Sequence, residues 1–231
     1  MSPARRWPST ADALSTEREP AMTTTLPAAP YTLRGTLTSP FARKVRIAID
    51  VLGLTDQVAM WPVQPTDPAD PIEEQNPLGK YPCLLRQSGP PVYDSSVILE
   101  LLQDVARSEA LLPARGAERI DMLTRTRLAD GIIDAGALLI YEDRYHEPAH
   151  RSDVWRERQT GKILRALAAF EHEPPPPDRT NAETITLACA LGFLDKRQLI
   201  AWRPAFPALV AWLDAFARHE PAFGRTAPPA A

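Results

Sequence analysis

The chain has 231 residues, a net charge of −3 and a hydrophobic share of 44%, which is enough for a buried core. No stretch approaches the roughly 18 apolar residues that a membrane-spanning helix needs. The mildly acidic balance lacks the basic character that is typical of nucleic-acid binding. The two cysteines are too few for a disulfide scaffold and fit a reducing compartment. We therefore expect a cytoplasmic protein that binds neither membranes nor nucleic acid.

Residues 1–30 are predicted to be a disordered extension. Pro, Ala, Ser and Thr supply 19 of these 30 residues, and such a composition cannot bury enough apolar surface to offset the entropy that ordering costs. The segment lacks the apolar core of a secretory signal, and acidic residues such as Asp12 argue against a transit peptide. Residues 1–21 are either native or precede a true start at Met22.

Residues 31–108 alternate between strand and helix patterns, which is typical of an α/β domain. Ser39 and Pro40 mark the start of the first helix, because Ser is a favoured N-cap and Pro is favoured at the first helical position. Ser88 and Gly89 indicate the turn of a β-hairpin. The predicted elements are strands at 31–36, 58–63, 83–87 and 92–93, and helices at 40–52, 67–75 and 95–105.

The first helix is predicted to have one apolar face. Four apolar residues recur on that face at helical spacing: Val45, Ala48, Ile49 and Leu52. The cationic side chains of Arg43, Lys44 and Arg46 are expected to stay outside it.

Strand patterns stop near residue 113, and residues 115–222 are predicted to form an all-helical domain. Its helices are expected at residues 117–144, 153–171, from Asn181 onward, and around residues 206–216. The fold class is therefore an α/β domain followed by an all-α domain.

Three motifs of the first domain occur in a particular order. They are Ser39-Pro40-Phe41-Ala42-Arg43-Lys44-Val45 at a strand-to-helix turn, Asn76-Pro77-Leu78-Gly79-Lys80-Tyr81-Pro82 before the third strand, and Tyr93-Asp94-Ser95-Ser96 at a helix start. Together with the all-helical second half, they resemble the glutathione S-transferase family over about residues 31–220. The resemblance implies a thioredoxin-like first domain, an all-helical second domain and a glutathione site between them.

The resemblance implies that Ser39 is the catalytic residue. A thiol such as that of glutathione is largely protonated at neutral pH, so a transferase has to stabilise the thiolate. A helix N-terminus favours an anion by about 0.3–1 kcal/mol, and a hydrogen bond to a charged group contributes about 1.5–3 kcal/mol. Together they reach the ~2.7 kcal/mol of a two-unit pKa shift. The alternative is that Ser39 only caps the helix.

Five further residues are implied as glutathione contacts. The bond between Tyr81 and Pro82 is expected to be cis, with the backbone of Tyr81 pairing with the cysteinyl part of the peptide. Ser95 is expected to bind a carboxylate at a helix N-terminus, and Asp94 to accept a hydrogen bond from the ammonium group. Lys80 either reaches the glycyl carboxylate or is a solvated surface side chain.

The second domain carries two weaker expectations. Tyr141 and Tyr145 lie four residues apart on a helix that should face the first domain, and they either line an acceptor pocket or pack in the core. The central helix of the family usually begins with a Ser or Thr cap and an Asp three residues later. Here Asn181 takes the first place and Thr184 the second, and Thr is expected to replace the acid incompletely.

Two other patterns are interpreted as structural. His146 and His150 match the spacing of a zinc-protease signature, but Pro148 interrupts the helix that such a site needs. No metal is therefore expected. Cys83 in a strand and Cys189 within a helix are expected to be buried core residues rather than nucleophiles.

The sequence thus predicts a glutathione S-transferase that stabilises the glutathione thiolate and conjugates it to an electrophilic, partly apolar small molecule, as in detoxification. Glutathione is its expected co-substrate, and a homodimer is expected from the family. Two alternatives stay open. One is a glutathione-dependent isomerase or peroxidase on the same scaffold, and the other is a non-catalytic ligand-binding or interaction module.

Overall fold

The computed structural model describes residues 29–64, 67 and 69–229, so the predicted disordered extension lies almost entirely outside the described residues. The first half contains the strands β1 (Tyr31–Gly35), β2 (Val58–Pro62), β3 (Cys83–Arg86) and β4 (Val92–Tyr93), and the helices α1 (Pro40–Val51), α2 (Ile72–Gln75) and α3 (Ser95–Val105). The second half contains α4 (Ala117–Tyr145), α5 (Asp153–His172), α6 (Ala182–Arg197), α7 (Pro207–His219) and α8 (Pro221–Arg225). No helix in the described part of the chain is long and apolar enough to cross a membrane.

The four strands form one mixed sheet in the order β2-β1-β3-β4. β1 is parallel to β2 and antiparallel to β3, and β4 is antiparallel to β3. The chain passes from β1 to β2 through α1, because parallel neighbours need a crossover connection. Leu33 and Leu84, opposite each other on β1 and β3, are fully buried in the core. An α/β domain followed by an all-helical domain confirms the predicted fold class.

α6 is the central helix of the helical domain. Most of its residues are buried, and it packs against α1, α4 and α7. At its start, Asn181 Oδ1 accepts a hydrogen bond from the Thr184 N–H at 3.0 Å, and Thr184 Oγ1 accepts one from the Asn181 N–H at 2.9 Å. This reciprocal capping satisfies two backbone donors. Thr184 therefore supplies the reciprocal hydrogen bond of the cap, although it brings no negative charge to the helix N-terminus.

α1 is buried on more of its surface than its apolar face alone predicts. It packs against α3 in its own domain and against α6 and α8 in the helical domain. Lys44 is fully buried and Arg43 is 6% exposed. These two cations were expected only to lie outside the apolar face, and their burial was not predicted. It arises because the helical domain covers the side of α1 that carries them.

A buried ion pair joins α1 to α4, and a hydrogen bond from the same side chain joins α1 to α3. Lys44 Nζ donates to Asp130 Oδ1 of α4 at 2.7 Å and to Ser96 Oγ of α3 at 3.3 Å. Ser96 Oγ in turn donates to Asp130 Oδ2 at 3.2 Å. The ammonium group thus has two oxygen partners from two elements, which is what burial of a charge requires.

α8 was not predicted from the sequence. It packs against α1 through contacts with Arg43 and Asp50. The guanidinium of Arg43 stacks 3.9 Å from the ring centroid of Phe223 and donates to the Phe223 carbonyl at 2.6 Å. Arg225 donates to both carboxylate oxygens of Asp50, at 2.7 and 2.9 Å. We call residues 221–226 the α8 strap, because they bind α1 from the opposite end of the chain.

Removing one partner of the Lys44–Asp130 pair is expected to destabilise the protein strongly. Asp130→Leu leaves the ammonium group of Lys44 buried without a charged partner, which costs about 3–5 kcal/mol in the free energy of unfolding. Lys44→Met is expected to cost less than Asp130→Leu, because Arg127 also lies 3.2 Å from Asp130 Oδ2 and keeps that carboxylate paired. The double variant removes both charges of the pair and is expected to recover most of the loss. Urea unfolding of the wild type, both single variants and the double variant measures these differences.

The exposed pair of Arg119 and Glu100, at 2.6 Å, is the matched control. Arg119→Met is expected to cost at most about 1 kcal/mol, because exposed ion pairs are weak. If Lys44→Met cost no more than Arg119→Met, the buried pair would not be what joins the two domains.

Candidate functional site

The register of the sheet brings the three sequence motifs to one edge. Arg34 near the end of β1 pairs with Cys83 at the start of β3, so the chain that leaves β1 lies beside the chain that enters β3. Cys83 also pairs with Tyr93 at the end of β4. The segments carrying Ser39, Tyr81 and Asp94 therefore begin or end at the same edge of the sheet, although they are far apart in sequence.

Ser39 lies at the N-terminus of α1, as predicted. It is half-buried, and its Oγ accepts a hydrogen bond from the Ala42 N–H at 3.2 Å, so it caps the helix. A hydroxyl that accepts an N–H keeps its own proton available for another acceptor. Capping and donation to an anion are therefore compatible roles for this one side chain.

The peptide bond between Tyr81 and Pro82 is cis, as predicted. Pro82 is buried against the end of β1, where a Cβ placed on Gly35 would lie 2.9 Å from the Cβ of Ala42 and 3.9 Å from that of Pro82. Because residue 35 has no side chain, β1, the first turn of α1 and the turn before β3 approach one another closely.

Asp94 and Ser95 form the start of α3. Asp94 Oδ1 accepts a hydrogen bond from the Ser96 N–H at 2.8 Å, and Asp94 has a φ of 70°, which Asp and Asn tolerate better than most residues. The Asp94 side chain is 53% exposed and lies 3.7 Å from Arg127 of α4. Ser95 is buried at the first position of the helix. A carboxylate is thus open to solvent beside a helix N-terminus.

The sequence patterns did not reveal the acidic residues that α4 contributes here. Asp130 is buried in the ion pair described above. One turn later, partial loss of hydration raises the pKa of Asp134, the Asp130 carboxylate adds to this rise, and the charge of Lys80 opposes it. The negative charge of Asp94 also raises the pKa of Asp134. Asp134 is thus within electrostatic reach of Asp94 and Lys80. The i, i+4 spacing of Asp130 and Asp134 places both aspartates on one face of α4, which is a signal that the sequence carries.

A cavity of about 420 Å³ lies where α4 ends and α5 begins. Tyr141 and Tyr145 line it, with ring centroids 5.9 Å apart, and their exposures of 48% and 70% exclude the alternative of core packing. The remaining lining residues all belong to the helical domain: Leu138, Glu142, His146, His150, Ser152 and Trp155.

Glu142 provides a fixed negative charge in the wall of this cavity. The Ser152 N–H donates to its Oε1 at 2.8 Å and lowers its pKa, and its Oε2 lies 3.0 Å from His146 Nδ1. Because Pro148–His150 form a separate 3-10 turn, His146 and His150 do not share a continuous helix. Within the described ranges, no group of three or more potential metal ligands occurs.

Cys83 and Cys189 are both buried, as predicted. Burial raises the pKa of each thiol to about 11. A thiol with such a pKa is almost entirely protonated near neutral pH and is a poor nucleophile. Ser39 therefore remains the candidate catalytic residue of the α1 N-terminus, since no cysteine competes for that place.

Comparisons with known proteins agree with this arrangement. The sequence profile of the glutathione S-transferase N-terminal domain matches residues 38–105, a range that contains all three motifs. The chain is 33% identical over 204 residues to the uncharacterized GST-like protein YibF of Escherichia coli K12. That match covers 86% of this chain and 99% of the relative.

Two solved structures extend the similarity to three dimensions. A glutathione transferase family member from Pseudomonas fluorescens Pf-5, with bound glutathione, is 36% identical with a TM-score of 0.81, over 87% of this chain and 100% of that chain. A glutathione S-transferase from Methylobacillus flagellatus KT, with glutathione bound, is 30% identical with a TM-score of 0.79, over 86% and 100% of the two chains. The first domain is thus thioredoxin-like, the second is all-helical, and the chain belongs to the glutathione S-transferase family.

Proposed function

We propose that the protein binds glutathione at this edge of the sheet and holds it as a thiolate at the N-terminus of α1. The observation that carries the proposal is the convergence of Ser39, Tyr81 and Asp94, because they come from three separate segments. The solved relatives that hold glutathione, at 30% and 36% identity, support the same ligand here.

The edge offers a partner to each part of the tripeptide. The backbone N–H and C=O of Tyr81 suit pairing with the cysteinyl residue in the manner of an added strand. Ser95 and the first N–H groups of α3 suit the γ-glutamyl carboxylate. The exposed carboxylate of Asp94 suits the ammonium group beside it, and the exposed Lys80 suits the glycyl carboxylate.

Ser39 is proposed to donate its proton in a hydrogen bond to the thiolate. The guanidinium of Arg43, one turn along the helix, stacks on Phe223 and is therefore not its substitute. The thiolate sulfur would then form a bond to the electrophilic atom of the acceptor, and the leaving group would depart with the electron pair of the bond that breaks.

The cavity between α4 and α5 is proposed as the acceptor pocket. Its walls of Tyr141, Tyr145 and Trp155 suit a partly apolar, planar electrophile, since aromatic rings stack favourably on flat molecules. We further propose a cytoplasmic homodimer that detoxifies such compounds, in keeping with the family.

A non-catalytic glutathione-binding module is the second candidate. The hydrogen bond from the Ala42 N–H accounts for a serine at position 39 without any chemistry. Retention on immobilised glutathione followed by an assay of conjugation with a generic aryl halide separates the two: a transferase does both, whereas a binding module is only retained.

Ser39→Ala is expected to raise the pKa of the bound glutathione thiol by about 1–2 units, equivalent to roughly 1.4–2.7 kcal/mol. Glutathione affinity should stay within a few-fold of the wild type, because the contacts at Tyr81, Asp94 and Ser95 are untouched. Conjugation near neutral pH should fall by one to two powers of ten and recover as the pH rises. Thiolate absorbance against pH measures this shift directly.

The loss of the helix cap in Ser39→Ala also costs about 1 kcal/mol of stability, so melting curves have to accompany the titration. Thr38→Ala is the matched control, since the Thr38 hydroxyl is exposed and its one hydrogen-bond neighbour among the described residues is the Thr36 hydroxyl at 3.4 Å. Overlapping titration curves for wild type and Ser39→Ala would show that Ser39 is a cap and nothing more.

Asp94→Asn is expected to weaken glutathione binding without slowing turnover at saturating glutathione. Asn caps a helix as well as Asp does and tolerates the same positive φ, so only the charge is lost. Truncating one partner of a buried charge pair costs about 2–5 kcal/mol, and the half-exposed Asp94 should lie near the lower limit. Ser95→Ala should act in the same direction. Calorimetric titration that found unchanged affinity in both variants would remove them from the site.

Tyr141→Ala is expected to raise the KM for an aromatic acceptor by about 10-fold while leaving the affinity for glutathione unchanged, because stacking on one ring contributes about 0.5–1.5 kcal/mol. Steady-state kinetics with the acceptor and with glutathione varied in turn give the two values. Val154→Ala, a change at an exposed apolar residue of α5 outside the cavity lining, is the control. An equal effect of both substitutions on KM would place the acceptor elsewhere.

A further inference from the structure

A buried arginine holds the segment that precedes the cis-proline turn. Arg34 of β1 is 2% exposed, and its guanidinium donates to Asp70 Oδ2 and to Gln75 Oε1, each at 2.6 Å. Both acceptors belong to residues 70–80, which include α2 and which we call the α2 segment. Because the guanidinium is planar and donates from two fixed positions, it determines both the position and the orientation of the segment that it binds.

The same guanidinium fixes the residue that follows the α2 segment. Its central carbon lies 4.8 Å from the ring centroid of Trp61 and 5.8 Å from that of Tyr81. Burial raises the pKa of the Tyr81 phenol, as does the neighbouring Asp70 carboxylate. Tyr81 therefore stays neutral and remains packed in this cluster.

The cluster of Arg34, Trp61, Asp70 and Tyr81 buries polar atoms that are not all paired, so its burial contributes little to the stability of the protein. Arg34 Nε, Asp70 Oδ1 and the Tyr81 hydroxyl are buried without a direct hydrogen-bond partner among the described residues. A buried polar atom without a partner is destabilising. What the cluster does supply is a defined position for the Tyr81 backbone, between the clamped α2 segment and β3.

We propose that Arg34 is a positioning residue of the glutathione site: by clamping the α2 segment onto the sheet through Asp70 and Gln75, it holds the Tyr81 backbone in the orientation that pairs with the peptide. This inference rests on the proposed function. It assigns specificity for an extended peptide ligand to a side chain that does not touch the ligand.

Arg34→Met should raise the KM and Kd for glutathione by about 10-fold, because a displaced Tyr81 backbone loses hydrogen bonds to the peptide. It should leave kcat at saturating glutathione within two-fold, because the proposed contact of Ser39 with the thiolate is unchanged. Arg86→Met is the matched control on β3, because the side chain of Arg86 donates within its own hairpin, to the Pro90 carbonyl. A second pair separates clamping from folding. Gln75→Leu removes one clamp bond and should act like a weaker Arg34→Met, whereas Gln75→Glu keeps the acceptor and should behave as the wild type.

The two buried cysteines give a readout that does not depend on glutathione. Cys83 Sγ lies 3.9 Å from the Gln75 carbonyl under the α2 segment, whereas Cys189 is buried in α6. If the clamp is lost, maleimide labelling of Cys83 should accelerate at pH 7.5 while labelling of Cys189 stays at the wild-type rate. Burial raises the pKa of Cys83 and the positive charge of Arg34 opposes that rise, so removing the charge alone would slow labelling.

Unchanged glutathione KM and unchanged Cys83 labelling in both Arg34→Met and Gln75→Leu would overturn the proposal. So would a fall in kcat with an unchanged KM, or equal acceleration at Cys189, which would indicate loss of the whole fold. If the wild type failed to bind glutathione, the proposed function and the positioning role would both fall. Labelling would still decide whether Arg34 clamps the α2 segment.

Discussion

The candidate site depends on one ammonium group that is held away from water. Lys44 is fully buried in α1, and Asp130 and Ser96 satisfy it from α4 and α3. Because an unpaired buried charge is costly, the two domains have to meet in the arrangement that joins these three helices. Ser39 stands at the start of the helix that this contact fixes, so the site's geometry is determined by both domains and not by the first domain alone. A buried ion pair contributes little net stability but penalises every other arrangement.

The fold was predictable because local signals and tertiary structure agree along most of the chain. The Ser39-Pro40 start, the alternation of strands and helices, and the long apolar helices after residue 113 all recur in the structure. The exceptions have either a local or a distant cause. α2 is only four residues long, because the prolines before it leave room for a single turn. α8 has five residues, too few for a periodic pattern, and is held by its contacts with α1.

The residues of the candidate site also fall into two groups: those that a local sequence pattern predicts and those that depend on a distant partner. Ser39, Tyr81 and Asp94 could be found from the sequence because each belongs to a turn or helix start with a local signature. Lys44 and Arg34 could not, since a charged side chain is buried only when a partner from elsewhere in the chain meets it. Asp130 lies 86 residues beyond Lys44, and Asp70 lies 36 residues beyond Arg34. No periodicity within one element records such a pairing, so the sequence does not show which charged residues near the site are buried.

The α8 strap links the order of synthesis to the completion of the site. Arg43 and the Phe223 carbonyl that it binds are 180 residues apart, and domains begin to fold while the chain is still being made. The first domain therefore leaves the ribosome with the arginine side of α1 still uncovered, although every one of its own residues is present. A chain that stops before residue 221 carries all three motifs, yet it lacks the Phe223 ring and carbonyl that Arg43 contacts and therefore exposes Arg43. In this protein a truncated product is thus an unfinished first domain as well as a shortened second one.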